Sequence, residues 1–204
     1  LGLLSTIEDA NGTASVSVKL VHLLSDRVIR RMIFICFLIC TPSVYVYTFT
    51  SISLSGYGID QYSISLIYTI IALGSLSAGI IIMGMGQRFS LYRGLLAGIA
   101  CVIVALPFFP LRLPLLYGVG FLFGFGYDLL WGCFYPYAAT LKPQVSGSFL
   151  TLLSLGMALS NLVNQLIGPL ILQAGGYLSG LILVIVAFGL AGYLLYQQRH
   201  LQLG

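Results

Sequence analysis

From residue 33 onward the chain reads as a succession of apolar runs, most longer than ~17 residues, separated by short clusters of glycine, proline, amide and charge. None shows the roughly ten-residue apolar/polar alternation of a lipid-facing strand, so the pattern predicts helices whose backbones satisfy themselves. The first span covers 33–54, opening at Ile33-Phe34-Ile35-Cys36-Phe37 and closing at Ser55-Gly56-Tyr57-Gly58 before Asp60. The second runs over 63–83 and stops at Gly84-Met85-Gly86-Gln87-Arg88. The third, 94–109, is broken at its far end by Pro107 and Pro110; the fourth, 115–137, begins just after Pro114. A fifth, 148–172, and a sixth, 177–196, complete the set, the last ending before Gln197-Gln198-Arg199-His200. At roughly 25 to 30 residues per span and loop, the chain beyond residue 32 has room for about six.

Composition supports the same reading. Only 7% of residues are charged and 59% are hydrophobic, with a mean hydropathy of +1.03. A soluble domain carries about a quarter charged residues, so this chain is predicted to be an all-α integral membrane protein, a bundle of six transmembrane helices. Residues 1–32 form a polar linker and a basic interfacial helix, 33–197 the transmembrane domain, and 198–204 a tail.

The net charge of +4 gains meaning from its distribution. With six spans, Lys19, Arg27, Arg30, Arg31, Arg88, Arg93, Lys142 and Arg199 collect on one side, and only Arg112 lies opposite. The positive-inside bias then puts both termini in the cytoplasm, in a plasma (inner) membrane, and the basic excess points to orientation in a bilayer and not to nucleic acid. Glu8-Asp9-Ala10-Asn11-Gly12-Thr13 reads as a linker, and its glycosylation sequon falls on the cytoplasmic side. Between Lys19 and Arg31, Leu20, Leu23, Leu24 and Val28 share a helical face opposite most of the basic groups, the pattern of an interfacial helix. A start at Leu1, not methionine, suggests a piece of a longer protein, with removal of the start by processing as the alternative.

Catalytic chemistry lacks its usual parts. Histidine occurs only at His22 and His200, outside the spans, and Cys36, Cys40, Cys101 and Cys133 all sit in apolar runs as small hydrophobes. No enzyme, metal site or cofactor is expected.

Polarity is unequal among the spans. The third and sixth are almost free of polar groups and are expected to face lipid all round. The others carry Thr41, Ser43, Tyr45, Tyr47, Thr48, Ser65, Tyr68, Thr69, Ser75, Asp128, Asn161, Asn164 and Gln165, which are costly against acyl chains and should turn inward. Asp128 stands out: a carboxylate near the bilayer midplane costs roughly 2.5 to 3.5 kcal/mol on insertion scales. No lysine or arginine within a span is available to it, so it reads as a proton- or cation-binding group, with a helix-linking acid as the alternative. Tyr127, Trp131 and Tyr135 accompany it on the fourth span, and Tyr45 and Tyr68 on others, offering π-faces to an organic cation. Gly120-x-x-x-Gly124 permits close helix approach. Ser154, Asn161 and Gln165 line one face of the fifth span beside Asn164, suited to bridging helices or to binding a substrate, and Gly168-Pro169 marks a bending point.

Taken in order, Ser25-Asp26-Arg27-Val28-Ile29-Arg30-Arg31, Gly84-Met85-Gly86-Gln87-Arg88-Phe89-Ser90-Leu91-Tyr92-Arg93, and Gly168-Pro169 with Gly175-Gly176 resemble the C-terminal six-helix half of a major facilitator superfamily transporter of the drug/proton antiporter kind. The first resembles the entry to helix seven, the second the short loop between helices eight and nine, and the third the glycine-proline motif of helix eleven. Gln87 stands where the loop motif carries an acid, and Asn164 where a glycine is typical. The resemblance implies two six-helix halves that rock by alternating access around a cavity lined by the first, second, fourth and fifth helices of each. It implies gating roles for Gln87, Arg88, Arg93, Gly168 and Pro169. It also implies a small amphiphilic substrate exchanged for protons, and as further partners the lipid bilayer and either a missing N-terminal half or a second copy. Uptake of a sugar or other neutral metabolite is the alternative within transport, and a non-transporting scaffold subunit the alternative outside it.

Overall fold

The computed structural model describes residues 20–86, 89–109 and 115–203, and every regular element among them is helical. A short helix α1 (Leu20–Ser25) leads into α2 (Arg27–Gly56), followed by α3 (Gln61–Met85), α4 (Leu91–Ala105) and α5 (Leu115–Leu141). Helical structure then continues from Ser146 to Leu203, interrupted at Gly176, whose φ of 69° and ψ of −176° are open to glycine and not to a helix. We call its two parts α6 (146–175) and α7 (177–203). As one rod they would be about 87 Å long, nearly three times the ~30 Å of a hydrocarbon core.

Contacts with α2 show that the chain turns back at Gly176. Going up α6, Gly156 abuts Ile33, the Ser160 hydroxyl donates to the Phe37 carbonyl at 2.6 Å, Asn164 reaches Thr41, and Gly168 lies on the Phe49 ring. Past the break the order reverses: Gly180 abuts Tyr45, and Gln197 and Gln198 accept from Arg31. So α6 runs parallel to α2 and α7 antiparallel, and the chain makes six long passes after α1.

The other three passes repeat this plan. Gly120 and Gly124 of α5 press on Ile67 and Ile71 of α3, and Gly132 on Ile82, in parallel order. Gly126 meets Gly98 and Cys101 of α4, and Cys133 faces Gly94, in antiparallel order. The first helix of each three-helix set thus packs between the second and third of the other set, with α2 and α5 opposite in direction. This is an inverted internal repeat. The Gly120-x-x-x-Gly124 expectation holds, because the Ile71 backbone occupies the space that a Gly124 side chain would need.

Two expectations need correction. The basic entry is not one interfacial helix over residues 19–31. Asp26 ends α1 and caps α2, its Oδ1 accepting from the Val28 amide at 2.8 Å, and Leu24 is exposed whereas Leu23 is buried. The third and sixth spans do not face lipid all round. Leu95, Gly98 and Val102 of α4 are buried, as are Leu181, Val184, Phe188 and Ala191 of α7. Helix continues through Gly168-Pro169, and the reversal comes at Gly176, between the bounds of the fifth and sixth spans.

Candidate functional site

Helix α2 contains Pro42, and one turn later its backbone widens into a π-helical segment, Tyr45–Phe49. Such segments leave carbonyls poorly served and are common at functional sites. Here the Tyr68 hydroxyl of α3 donates to the carbonyls of Val46 at 3.2 Å and Tyr47 at 3.3 Å. The Thr50 hydroxyl donates to the Tyr45 carbonyl at 3.2 Å and also pairs with Tyr177 of α7.

The widened turn sets Tyr45 and Tyr47 to different neighbours. Tyr45 is fully buried against Gly180 and Phe49, away from any open face. Tyr47 is 44% exposed and stacks with Tyr68, ring centroids 6.1 Å apart. From Tyr47 an aromatic row runs along α5: Phe123 at 6.3 Å, Tyr127 at 5.5 Å from Phe123, Trp131 at 6.1 Å from Tyr127, and Tyr135 at 5.6 Å from Trp131. With Tyr68, the row spans three helices, α2, α3 and α5.

Asp128 lies midway along this row, half-buried, within electrostatic reach of Tyr47. Among the described residues it has no ion pair and no hydrogen bond. It sits on the side of α5 that neighbours leave open, with Phe121 and Pro136.

The amides of α6 divide. Asn164 is buried; its Nδ2 donates to the Ser160 carbonyl at 2.8 Å, to the Ser160 hydroxyl at 3.0 Å and to Thr41 of α2 at 3.4 Å. It joins helices and does not face the aromatic row. Asn161 is half-buried and Gln165 exposed, and neither makes a hydrogen bond among the described residues. They belong to a strip of small and polar positions, Gly147, Thr151, Ser154, Ala158, Asn161 and Gln165, at alternating spacings of four and three on the open side of α6. Helix α3 has a shorter counterpart in Ser65, Thr69 and Ala72. Most hydroxyls here bond back into their own helix, as Thr69 does to Ser65 and Thr151 to Gly147, so the free amides are the costly members. Polar groups thus do not all turn into the bundle: Tyr47, Thr48, Ser65, Thr69 and Gln165 face out of it.

Of the residues expected to gate, Arg93 is exposed in the first turn of α4, Gly168 is buried against Phe49, and Pro169 is exposed. Gln87, Arg88, Arg112, Lys19 and the 8–13 linker with its sequon lie outside the described residues. At the basic end, Lys142 Nζ and Asp26 Oδ2 are 2.6 Å apart. Burial raises the Asp26 pKa, but the Lys142 ammonium and the Val28 and Ile29 amides outweigh it and leave the carboxyl below its ordinary value.

The π-helical segment and Phe123 are parts of the site that sequence reasoning passed over. The signal for the first was Pro42 inside an apolar run. Phe123 gave none, being one aromatic among many.

Among the described residues, five helical stretches are long and apolar enough to cross a bilayer, the last of them containing the turn at Gly176. They make this a membrane-embedded protein, helical throughout the regular elements of its described residues. Comparison with models of protein families, with curated proteins and with solved structures gives no match to this chain.

Proposed function

We propose that the chain is one six-helix unit of a secondary active transporter that exports a small amphiphilic molecule in exchange for protons by alternating access. The observation that carries this reading is Asp128, a carboxyl without an ion partner among the described residues, on an open helix side and on the helix that carries the row of aromatic rings. Against acyl chains such a group is costly, whereas beside a water-filled path it can hold a proton or a cation in turn. Trp131, Tyr127, Tyr47 and Tyr68 supply the π-faces that an organic cation prefers. The inverted repeat supports the same reading, since alternating-access transporters are commonly built that way. The polar strips on α3 and α6 fit cover by a second six-helix unit, whether another part of a longer protein or another copy.

The test is uptake of a lipophilic cation by proteoliposomes holding the intact protein, driven by a proton gradient, comparing wild type with Asp128→Asn. The expected result is loss of gradient-driven uptake, on the order of a hundredfold if the acid carries the proton. Undiminished coupling in the folded variant would remove Asp128 from the mechanism. Absence of transport of any cation or neutral solute by wild type would favour a scaffold subunit, for which the Asn164–Thr41 link is typical chemistry.

A further inference from the structure

We propose that the basic end of α4, α5 and α7 binds the head group of an anionic phospholipid, its phosphate held by Arg199 and the Tyr137 hydroxyl. The Arg199 guanidinium lies 4.4 Å from the centre of the Tyr92 ring, and that ring is 6.2 Å from Tyr137. Stacking on a ring face fixes a guanidinium while leaving its edge N–H groups free to donate. Tyr137 is 8% exposed, and its hydroxyl is buried with no hydrogen-bond partner among the described residues, within electrostatic reach of Arg199. A buried hydroxyl normally has a partner, so the one beside a fixed cation lacks an acceptor.

The described residues supply no anion there. Of the acids among the described residues, Asp26 is paired with Lys142, Asp60 caps α3 at the opposite end, and Asp128 lies mid-helix. The medium around this corner identifies the occupant. Val104 of α4 and Ile182, Val186 and Leu190 of α7 are exposed, the surface of helices that face acyl chains. At the end of such helices lies the head-group layer, where exposed Tyr193 and Tyr196 of α7 suit an aromatic belt. Exposed Arg93, next to Tyr92, adds a second positive charge, which favours a head group of net negative charge over a zwitterionic one.

The experiment is thermal unfolding of the intact, delipidated protein in mild detergent with added phosphatidylglycerol, phosphatidylcholine or inorganic phosphate. Phosphatidylglycerol should raise the Tm by about 3 °C more than phosphatidylcholine does. Arg199→Gln should abolish that difference, and Tyr137→Phe should reduce it. Counting bound phosphatidylglycerol by native mass spectrometry gives a second readout in which Tyr137→Phe, a change of one atom, should retain fewer lipids. Equal shifts from both lipids would overturn the proposal, as would an undiminished difference in Arg199→Gln. A full shift from inorganic phosphate alone would make this a soluble-anion site and overturn it too.

Discussion

Asn164 of α6 donates to the Thr41 hydroxyl of α2 at 3.4 Å, while Gln165, its neighbour in sequence, faces outward with no bond. Two adjacent amides therefore serve different purposes. Asn164→Leu should lower stability in detergent by about 1 kcal/mol, because Thr41 and Ser160 lose a shared donor. Gln165→Ala should leave stability within about 0.5 kcal/mol of wild type. Thermal unfolding of both variants checks the contrast; equal losses would mean that the outward amide is also structural.

Gly124 and Gly118 lie on the same helix, and a methyl group discriminates between them. At Gly124 it would strike the Ile71 backbone, whereas at Gly118 it meets nothing within 4 Å. Gly124→Ala should therefore destabilise by roughly 1 to 3 kcal/mol as α5 and α3 are pushed apart, and Gly118→Ala should be neutral or slightly stabilising. Unfolding midpoints of the two variants decide the matter.

Much of this architecture was legible in the sequence because a bilayer imposes long apolar runs, and the turn chemistry between them is strong. The spans, Gly120-x-x-x-Gly124 and the exceptional Asp128 all stood out for that reason. Facing was harder to read. Tyr45 and Tyr47 look alike as aromatics two residues apart, yet a π-helical segment buries one and opens the other. The break at Asp26 rests on one capping carboxylate inside a pattern that otherwise continues as a helix. The interdigitation of α2 with α6 and α7 depends on shape at Gly156, Gly168 and Gly180, which periodicity does not encode.

The Asp26–Lys142 bridge predicts an acid limb in stability. The Asp26 pKa is lowered in the folded protein, so its contribution is present above the unfolded value of about 3.9 and is lost as pH falls through the lower folded value. Asp26→Asn keeps a capping side chain but removes the charge. Melting temperatures between about pH 3 and pH 7 should therefore converge for wild type and variant at the acid end and diverge at the neutral end. A constant gap across that range would show that the ion pair is not the cause.

Tyr68 ties α3 to the widened turn of α2 by a single hydroxyl. Tyr68→Phe should cost about 1 kcal/mol and raise hydrogen–deuterium exchange locally in residues 45–50, without affecting α4. Unchanged exchange in that segment would mean that the π-helical turn holds itself.

The most direct test of the account is water access at position 128. In a background with Cys36, Cys40, Cys101 and Cys133 replaced by serine, Asp128→Cys and Val186→Cys would each be exposed in intact membranes to a water-soluble thiol reagent. The account predicts labelling of Asp128→Cys, slowed by a bound lipophilic cation, and none of Val186→Cys on the lipid-facing side of α7. Equal inertness at the two positions would contradict it.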